Sequence, residues 1–463
     1  MKTIIRSLGT ALVAATLLMG ATACASSPSG TTSSGAPAGT TGAAGAGGSV
    51  YFLNFKPEIA DQYNAIVKEY KAETGVDVKV VTAASGTYEQ TLTSEMAKSA
   101  PPTIFQINGP VGYSNWKDYT ADLTNSDIYK HLNDKTMAVS TSDGVWGVPY
   151  VVEGYGIIYN DAIMKKYFAL ADKKVSISSA DQITSFDLLK QVVEDMTAHK
   201  ADLGITGVFS NTSLKPGEDW RWQTHMVDIP LFYEFNQNKT DLTQGTPKSI
   251  DFTYGDNMKS LFDLYLNNST TDPTQLGSKT VDDSMAEFAL GQSAMVQNGN
   301  WAWAQINSVQ GNTVQASDIH MLPLYMGISG EEKYGIPIGT ENYFSINSKV
   351  DAASQQASLD FLTWLFSSDY GKKAVSNDLS FIAPFDWFAA GEGPNDPLAQ
   401  EVTKWMTSGE TSVSWTPFQV IPSQDWKTNF GGDLLAYAQG QMDWPTVEST
   451  MVQDWADQAA AAQ

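Results

Sequence analysis

The segment from Ser49 to Ile107 leaves this chain few choices of fold. "SVYFLNF" (Ser49–Phe55) is a short run of apolar, β-branched and aromatic residues, which reads as a buried strand. Pro57 then opens "EIADQYNAIVKEYKAETG", where Ile59, Tyr63, Ile66, Val67 and Tyr70 recur at helical spacing and Gly75 closes the helix. "VDVKVVTA" alternates like a strand. A second helix near Tyr88 to Ser99 leads into another strand, "PPTIFQI". Parallel neighbours need a connection that crosses a face of the sheet, so β-α-β-α-β predicts a mostly parallel sheet flanked by helices.

The rest of the chain keeps to an α/β pattern. "VWGVPYVVEGYGIIYN" (Val145–Asn160) reads as two short strands around Glu153-Gly154. Helical periodicity is clearest over Phe186–His199, Asp256–Leu266 and Asp282–Leu290. "SDIHMLPLY" and "YFSINSK" return to strand character. "DAASQQASLDFLTWLFSSDYGKKAV" is a strong helix, and the last quarter is helical with irregular loops. In "FALGQSAMVQNGNWAWAQI" (Phe288–Ile306) the apolar run breaks at Asn298-Gly299-Asn300, and two large rings follow at once, Trp301 and Trp303.

The first 48 residues have a different character. Lys2 and Arg6 precede the apolar run "LGTALVAATLLMGATA", which has signal-peptide length and ends in small residues. Cys24, the one cysteine of the chain, follows directly. The pattern resembles a bacterial lipoprotein signal, with Ala21 where leucine is usual, and implies lipidation of Cys24. Residues 25–48 are Ala-, Gly-, Ser- and Thr-rich without charge, the composition of a flexible linker. Cleavage ahead of Cys24 removes two basic residues and leaves 26 basic against 51 acidic, with Arg221 the only arginine. Such a balance disfavours nucleic acid as a partner. No second run is long and apolar enough to span a bilayer. The expectation is a domain tethered to the outer face of the cytoplasmic membrane.

Catalytic and cofactor motifs are missing. There is no G-x-x-x-x-G-K-[ST] loop, no G-x-S-x-G and no H-E-x-x-H. The histidines His131, His199, His225 and His320 are scattered, and no Cys/His spacing suggests a metal. No cofactor is expected, and with 51 acidic residues paired carboxylates as in a glycosidase stay open at this point.

Five segments in order resemble the extracellular solute-binding proteins of ABC importers, in the sugar-binding group that includes maltose-binding protein. They are "VYFLNFKPEIADQYNAIVKEYKAETGVDVKVV", "PPTIFQINGPVGYSNW", "VWGVPYVVEGYGIIYND", "FALGQSAMVQNGNWAWAQI" and "IPIGTENYFSINSKVDAASQQASLDFLTWLFSSDYG". The resemblance implies a two-lobed α/β clamp, each lobe a parallel-rich sheet flanked by helices, with the ligand between lobes. Expected lobe limits are 49–152 with 325–367, and 153–324 with 368–463. The implied function is capture of a carbohydrate, an oligosaccharide by preference, by a monomer that delivers it to a membrane permease. A secreted carbohydrate-active enzyme, or a binder of a polyamine or peptide, are the alternatives.

A sugar offers apolar C–H faces to aromatic rings and hydroxyl edges to planar polar groups. By resemblance, Trp301 is the stacking platform, while Trp303 is expected in the core. Glu153 matches a family glutamate that accepts sugar hydroxyls, and Tyr155 beside it could stack. Phe55 and Glu58, around Lys56, follow the first strand, and Asn108 ends another; ligands bind outside such carboxyl ends. The family pattern has Asp-Lys where this chain has Phe-Lys-Pro-Glu, which implies a different sugar preference. Glu341 and Asn342 sit in a turn that related binders bring to the ligand. Trp220 and Arg221 combine a ring with a planar fork for hydroxyls or a carboxylate. Asp386 and Trp387 complete the candidates.

Overall fold

The computed structural model describes residues 48–84, 87–242, 245–389 and 391–461. The signal segment, Cys24 and nearly all of the linker lie outside the described residues. The strands are β1 (Val50–Asn54), β2 (Val78–Thr82), β3 (Ile104–Ile107), β4 (Val139–Thr141), β5 (Gly144–Pro149), β6 (Glu153–Asn160), β7 (Met295–Gly299), β8 (Ile319–Leu322), β9 (Tyr334–Gly339), β10 (Tyr343–Ile346) and β11 (Thr411–Ser414). They form two sheets. The first has six strands in the order β2-β1-β3-β10-β5-β4. The second runs β11-β9-β6-β7, and β8 also pairs with β6.

The opening unit folds as its periodicity requires. β1 pairs in parallel with β2 and β3. The helix Ala60–Thr74 turns Tyr63, Ile66 and Tyr70 inward and ends at Gly75, whose φ of 78° gives the left-handed turn that stops it. The sheets are otherwise mixed, not parallel-rich. β10 is antiparallel to β3 and β5, and β6 is antiparallel to β7, β8 and β9. The reason is that β5 runs on into β6, and β9 into β10, from one sheet to the other. A strand that arrives by such a crossing need not follow the right-handed βαβ rule.

β6 is buried along all eight residues and forms the spine of the second sheet. It begins at Glu153, so the break between β5 and β6 is Tyr150–Val152, just ahead of the glutamate. At Gly156 an added Cβ would meet the Leu322 carbonyl oxygen at 2.4 Å, so glycine permits the close approach of β8.

Each sheet has its own core. Phe52, Tyr63, Tyr150, Phe344, Phe361 and Phe366 pack on the first. Tyr155, Phe209, Trp222, Tyr265, Trp426 and Trp455 pack on the second. β9 belongs to the second sheet, so the chain re-enters the first only at β10. Val375, Leu379, Phe381 and Phe385, beyond 367, also pack in the first core.

Trp455 is fully buried at an edge-to-face contact with Trp426. Trp303, expected in the core, is only half-buried against a smaller cluster with Trp405. Trp455→Ala should therefore cost about 3–5 kcal/mol of unfolding free energy and Trp303→Ala only about 1–2 kcal/mol. Denaturant unfolding of the two variants checks this; equal losses would refute the burial argument.

Candidate functional site

The candidate site is built where β1 ends and β6 begins. Lys56 follows β1, is 6 % exposed, and places its ammonium 2.7 Å from Glu153 Oε1 and 3.7 Å from Glu58. Asn54 orders this turn: its Nδ2 donates to the Lys56 carbonyl and its Oδ1 accepts from the Lys56 N–H. Burial works against the ammonium, but Glu153 and then Glu58 outweigh it and hold Lys56 protonated. Burial likewise raises the Glu153 carboxyl, and the Lys56 ammonium opposes that rise. Glu153 Oε2 is buried without a partner.

Opposite stands the turn after β7, where each residue of Asn298-Gly299-Asn300 has a separate task. Asn298 Oδ1 accepts from Arg221 Nε at 2.9 Å. Gly299 makes room: a Cβ there would lie 2.2 Å from the ring of Trp301, which folds back over it. Asn300 is tied to β6 reciprocally, its N–H donating to the Gly154 carbonyl and its Oδ1 accepting from the Gly154 N–H, both at 3.0 Å. The strand continues through Gly299, past the point where the apolar run ends in the sequence, so the chain turns only from Asn300. Trp301 is thereby fixed beside Glu153, and the Lys56 ammonium lies 5.6 Å from the centroid of its ring.

The segment Arg221–Met226 is a π-helix, a rare winding that recurs at functional sites. It stacks the Arg221 guanidinium 3.7 Å above the Trp220 ring and brings His225 inward. Trp220 and His225 both lie against Trp301, at 5.7 and 5.4 Å between centroids. Burial first, and then the charges of Arg221, Lys427 and Lys56, push the His225 pKa well below the usual imidazole range. Sequence reasoning passed over His225 and Lys427. Nothing local marks either one; the packing of the helix Gln424–Ala438 against the π-helix brings Lys427 in.

Of the candidates, Trp301, Glu153, Glu58, Trp220 and Arg221 converge here. Glu341 joins them electrostatically, interacting with Lys56, Glu153 and Glu58. Phe55 sits half-buried beside them, its edge against Tyr88 and its N–H donating to Gln106. Asn108 opens the helix Gly109–Trp116, and its Oδ1 is buried without a partner. Asn342 is buried, with its carbonyl accepting from Thr340.

Three candidates fall elsewhere. Tyr155 is fully buried behind the site, stacked on His225 at 4.3 Å with its hydroxyl donating to Asp228, so it presents no free face. Asp386 pairs with His131 at 2.7 Å, and Trp387 stacks on the same imidazole. That pairing belongs to the wall of the first core. Among the described residues no group of three or more His, Cys, Asp or Glu side chains forms a metal site.

Residues 65–405 match the family model of the bacterial extracellular solute-binding proteins. No curated protein matches the chain. Its fold resembles that of the binding protein RafE in complex with raffinose (TM-score 0.67, 16% identity, covering 89% of this chain and 99% of that one). It also resembles a chitin oligosaccharide binding protein (0.66, 18%, 89% and 99%). A third similar fold is the maltose/maltodextrin-binding domain MalE from Bdellovibrio bacteriovorus bound to maltotriose (0.60, 15%, 89% and 99%).

Lys56 and Glu153 should behave as a coupled buried pair. Lys56→Met alone strands Glu153 as a buried, unpaired carboxylate and should cost about 3–5 kcal/mol. Adding Glu153→Leu should recover most of that loss. Denaturant unfolding of the two single variants and the double variant tests this, and additive losses would mean the two side chains are not coupled.

Proposed function

The chain belongs to the bacterial extracellular solute-binding proteins, and from that premise we propose that it captures an oligosaccharide between two lobes and passes it to an ABC permease. The observation that carries this reading is the convergence of aromatic faces with planar polar groups. Trp301 and Trp220 supply the faces; Glu153, Glu58, Glu341 and Arg221 supply the directional partners for hydroxyls. The lobes follow the two sheets, β1–β5 with β10 in one and β6–β9 with β11 in the other.

A cleft of this kind binds by closure. Stacking and hydrogen bonds that engage both lobes favour the closed state, because a ligand shifts an equilibrium only by its differential affinity for the two states. Gln419, from the segment after β11, already donates to the Thr340 carbonyl and the Tyr343 hydroxyl at the crossing between sheets. The protein works as a monomer without catalysis, and lipid on Cys24 would hold it beside its permease.

A calorimetric screen over oligosaccharides, polyamines and peptides tests the ligand class. A sugar should bind and be recovered intact, with Trp301→Ala costing at least about 2 kcal/mol of affinity while the melting transition stays sharp. Binding of a polyamine or peptide alone, or release of shortened sugars, would overturn the reading. Cys24→Ala should shift the exported protein from the membrane fraction to the medium; retention on the membrane would refute the anchor.

A further inference from the structure

The Lys56 ammonium is held as a bound organic cation would be. It lies 2.7 Å from Glu153 Oε1, 3.7 Å from Glu58 and 5.6 Å from the centroid of the Trp301 ring. Burial works against the charge, and Glu153, Glu58 and Glu341 together outweigh it. Carboxylates combined with an aromatic ring are the surroundings that select an alkylammonium group from solution. Here a side chain of the protein itself fills them.

The occupant is fixed from within. Asn54 binds the Lys56 N–H at 3.1 Å and the Lys56 carbonyl at 2.7 Å, and its Nδ2 also donates to Thr82 Oγ1 at 3.2 Å. Pro57 follows directly and restricts the backbone further. The ammonium therefore has little freedom to swing out of the cleft. Its carboxylate partner retains spare capacity: Glu153 is 2 % exposed, and its Oε2 is buried without a partner. Glu153 has Lys56 as its one cationic partner among the described residues. Arg221 does not replace it, because Glu58, Glu218, Glu341 and Asp282 all act on that guanidinium and its Nε is spent on Asn298. A chain with 51 acidic against 28 basic residues also draws cations toward its surface, so a cleft with exposed carboxylates would collect amines.

We propose that Lys56 is a specificity-determining residue, an internal counter-ion that fills an ammonium seat made by Glu153, Glu58 and Trp301. Amines such as polyamines and unacetylated amino sugars are thereby refused, and neutral sugars are admitted. This deepens the carbohydrate reading above and rests on it for the solute that is admitted. Refusal has two parts: the carboxylates are already engaged, and a second cation beside Lys56 meets like charge.

Lys56→Ala tests this, because the atoms it removes are those of propylammonium. Thermal melts of the variant and the unaltered protein are compared in propylammonium, sodium and tetramethylammonium chlorides; the last carries charge but no N–H. Propylammonium should raise the midpoint of Lys56→Ala by about 2 °C or more over both controls and leave the unaltered protein at its control value. Calorimetry with spermidine then reads selectivity, which a purely structural lysine would not move. Lys56→Ala should bind spermidine at least about tenfold tighter than the unaltered protein does. If Lys56→Ala does not fold alone, its refolding yield with and without propylammonium reads the rescue. Lys56→Gln, which keeps a donor toward Glu153, then takes the calorimetry. Equal rescue by all three salts, or rescue without a gain in spermidine affinity, overturns the counter-ion role and leaves the carbohydrate reading standing. Tight binding of spermidine by the unaltered protein overturns both.

Discussion

A lysine buried between carboxylates at the place where the chain changes sheets is the constraint on which the rest of this structure depends. Lys56 follows the first strand of one sheet, and Glu153 begins the spine of the other. Desolvating such a pair is costly, and apolar residues of similar size would often serve stability as well or better. What the pair adds is position. It fixes the mouth of one sheet against the first residue of the other, and it brings an ammonium over Trp301. The choice of Asn-Phe-Lys-Pro-Glu at the end of β1 is therefore a choice about the cleft, made beside a strand whose Val50 and Phe52 pack in the first core.

The turn after β7 answers to the same geometry. Small polar residues there do not merely reverse the chain. Asn300 pins the turn to Gly154, next to Glu153, through two reciprocal hydrogen bonds, and Asn298 holds Arg221. Gly299 is the residue that lets a tryptophan ring lie back across the backbone. Aromatic rings normally anchor cores; here one is held at a cleft because the backbone beneath it has no side chain to displace it. Trp303, two residues on, lies in a different apolar cluster, as the opposite face of a short helix requires.

Much of this was legible in the sequence. Periodicity gave the opening βαβαβ unit, since a run such as Tyr63, Ile66 and Tyr70 has one amphipathic solution. Of the clustered candidates, Trp301 and Glu153 follow from the family resemblance, whereas Glu58 beside a strand end and Trp220 with Arg221 are chemically conspicuous in themselves. The misses have a common cause. Tyr155 alternates inward on β6 and disappears behind His225, a fact set by strand register and by a π-helix that no local pattern announces. Asp386 and Trp387 look like a polar-aromatic pair for a ligand, yet they close on His131, which lies far away in sequence. Lys427 sits in an ordinary helix, and only the docking of that helix makes it part of a charged ring. The mixed strand directions escaped for a related reason: crossings between sheets leave no trace in periodicity.

Unpaired groups in a binding cleft also bear on how closure is coupled to ligand. Arg221 Nη1, Trp301 Nε1 and Glu153 Oε2 are withdrawn from water without protein partners. Each such group costs free energy in the arrangement that buries it, of the order of 1–3 kcal/mol and more where it is charged. A solute that supplies the missing partners removes that cost only in the closed arrangement, because in an open cleft water already satisfies the same atoms. Differential affinity between the two states, which is all a ligand can use to shift them, thus arises from the protein's own unsatisfied atoms as much as from the contacts added. A cleft with every polar atom already paired would draw its preference for the closed form from the added contacts alone.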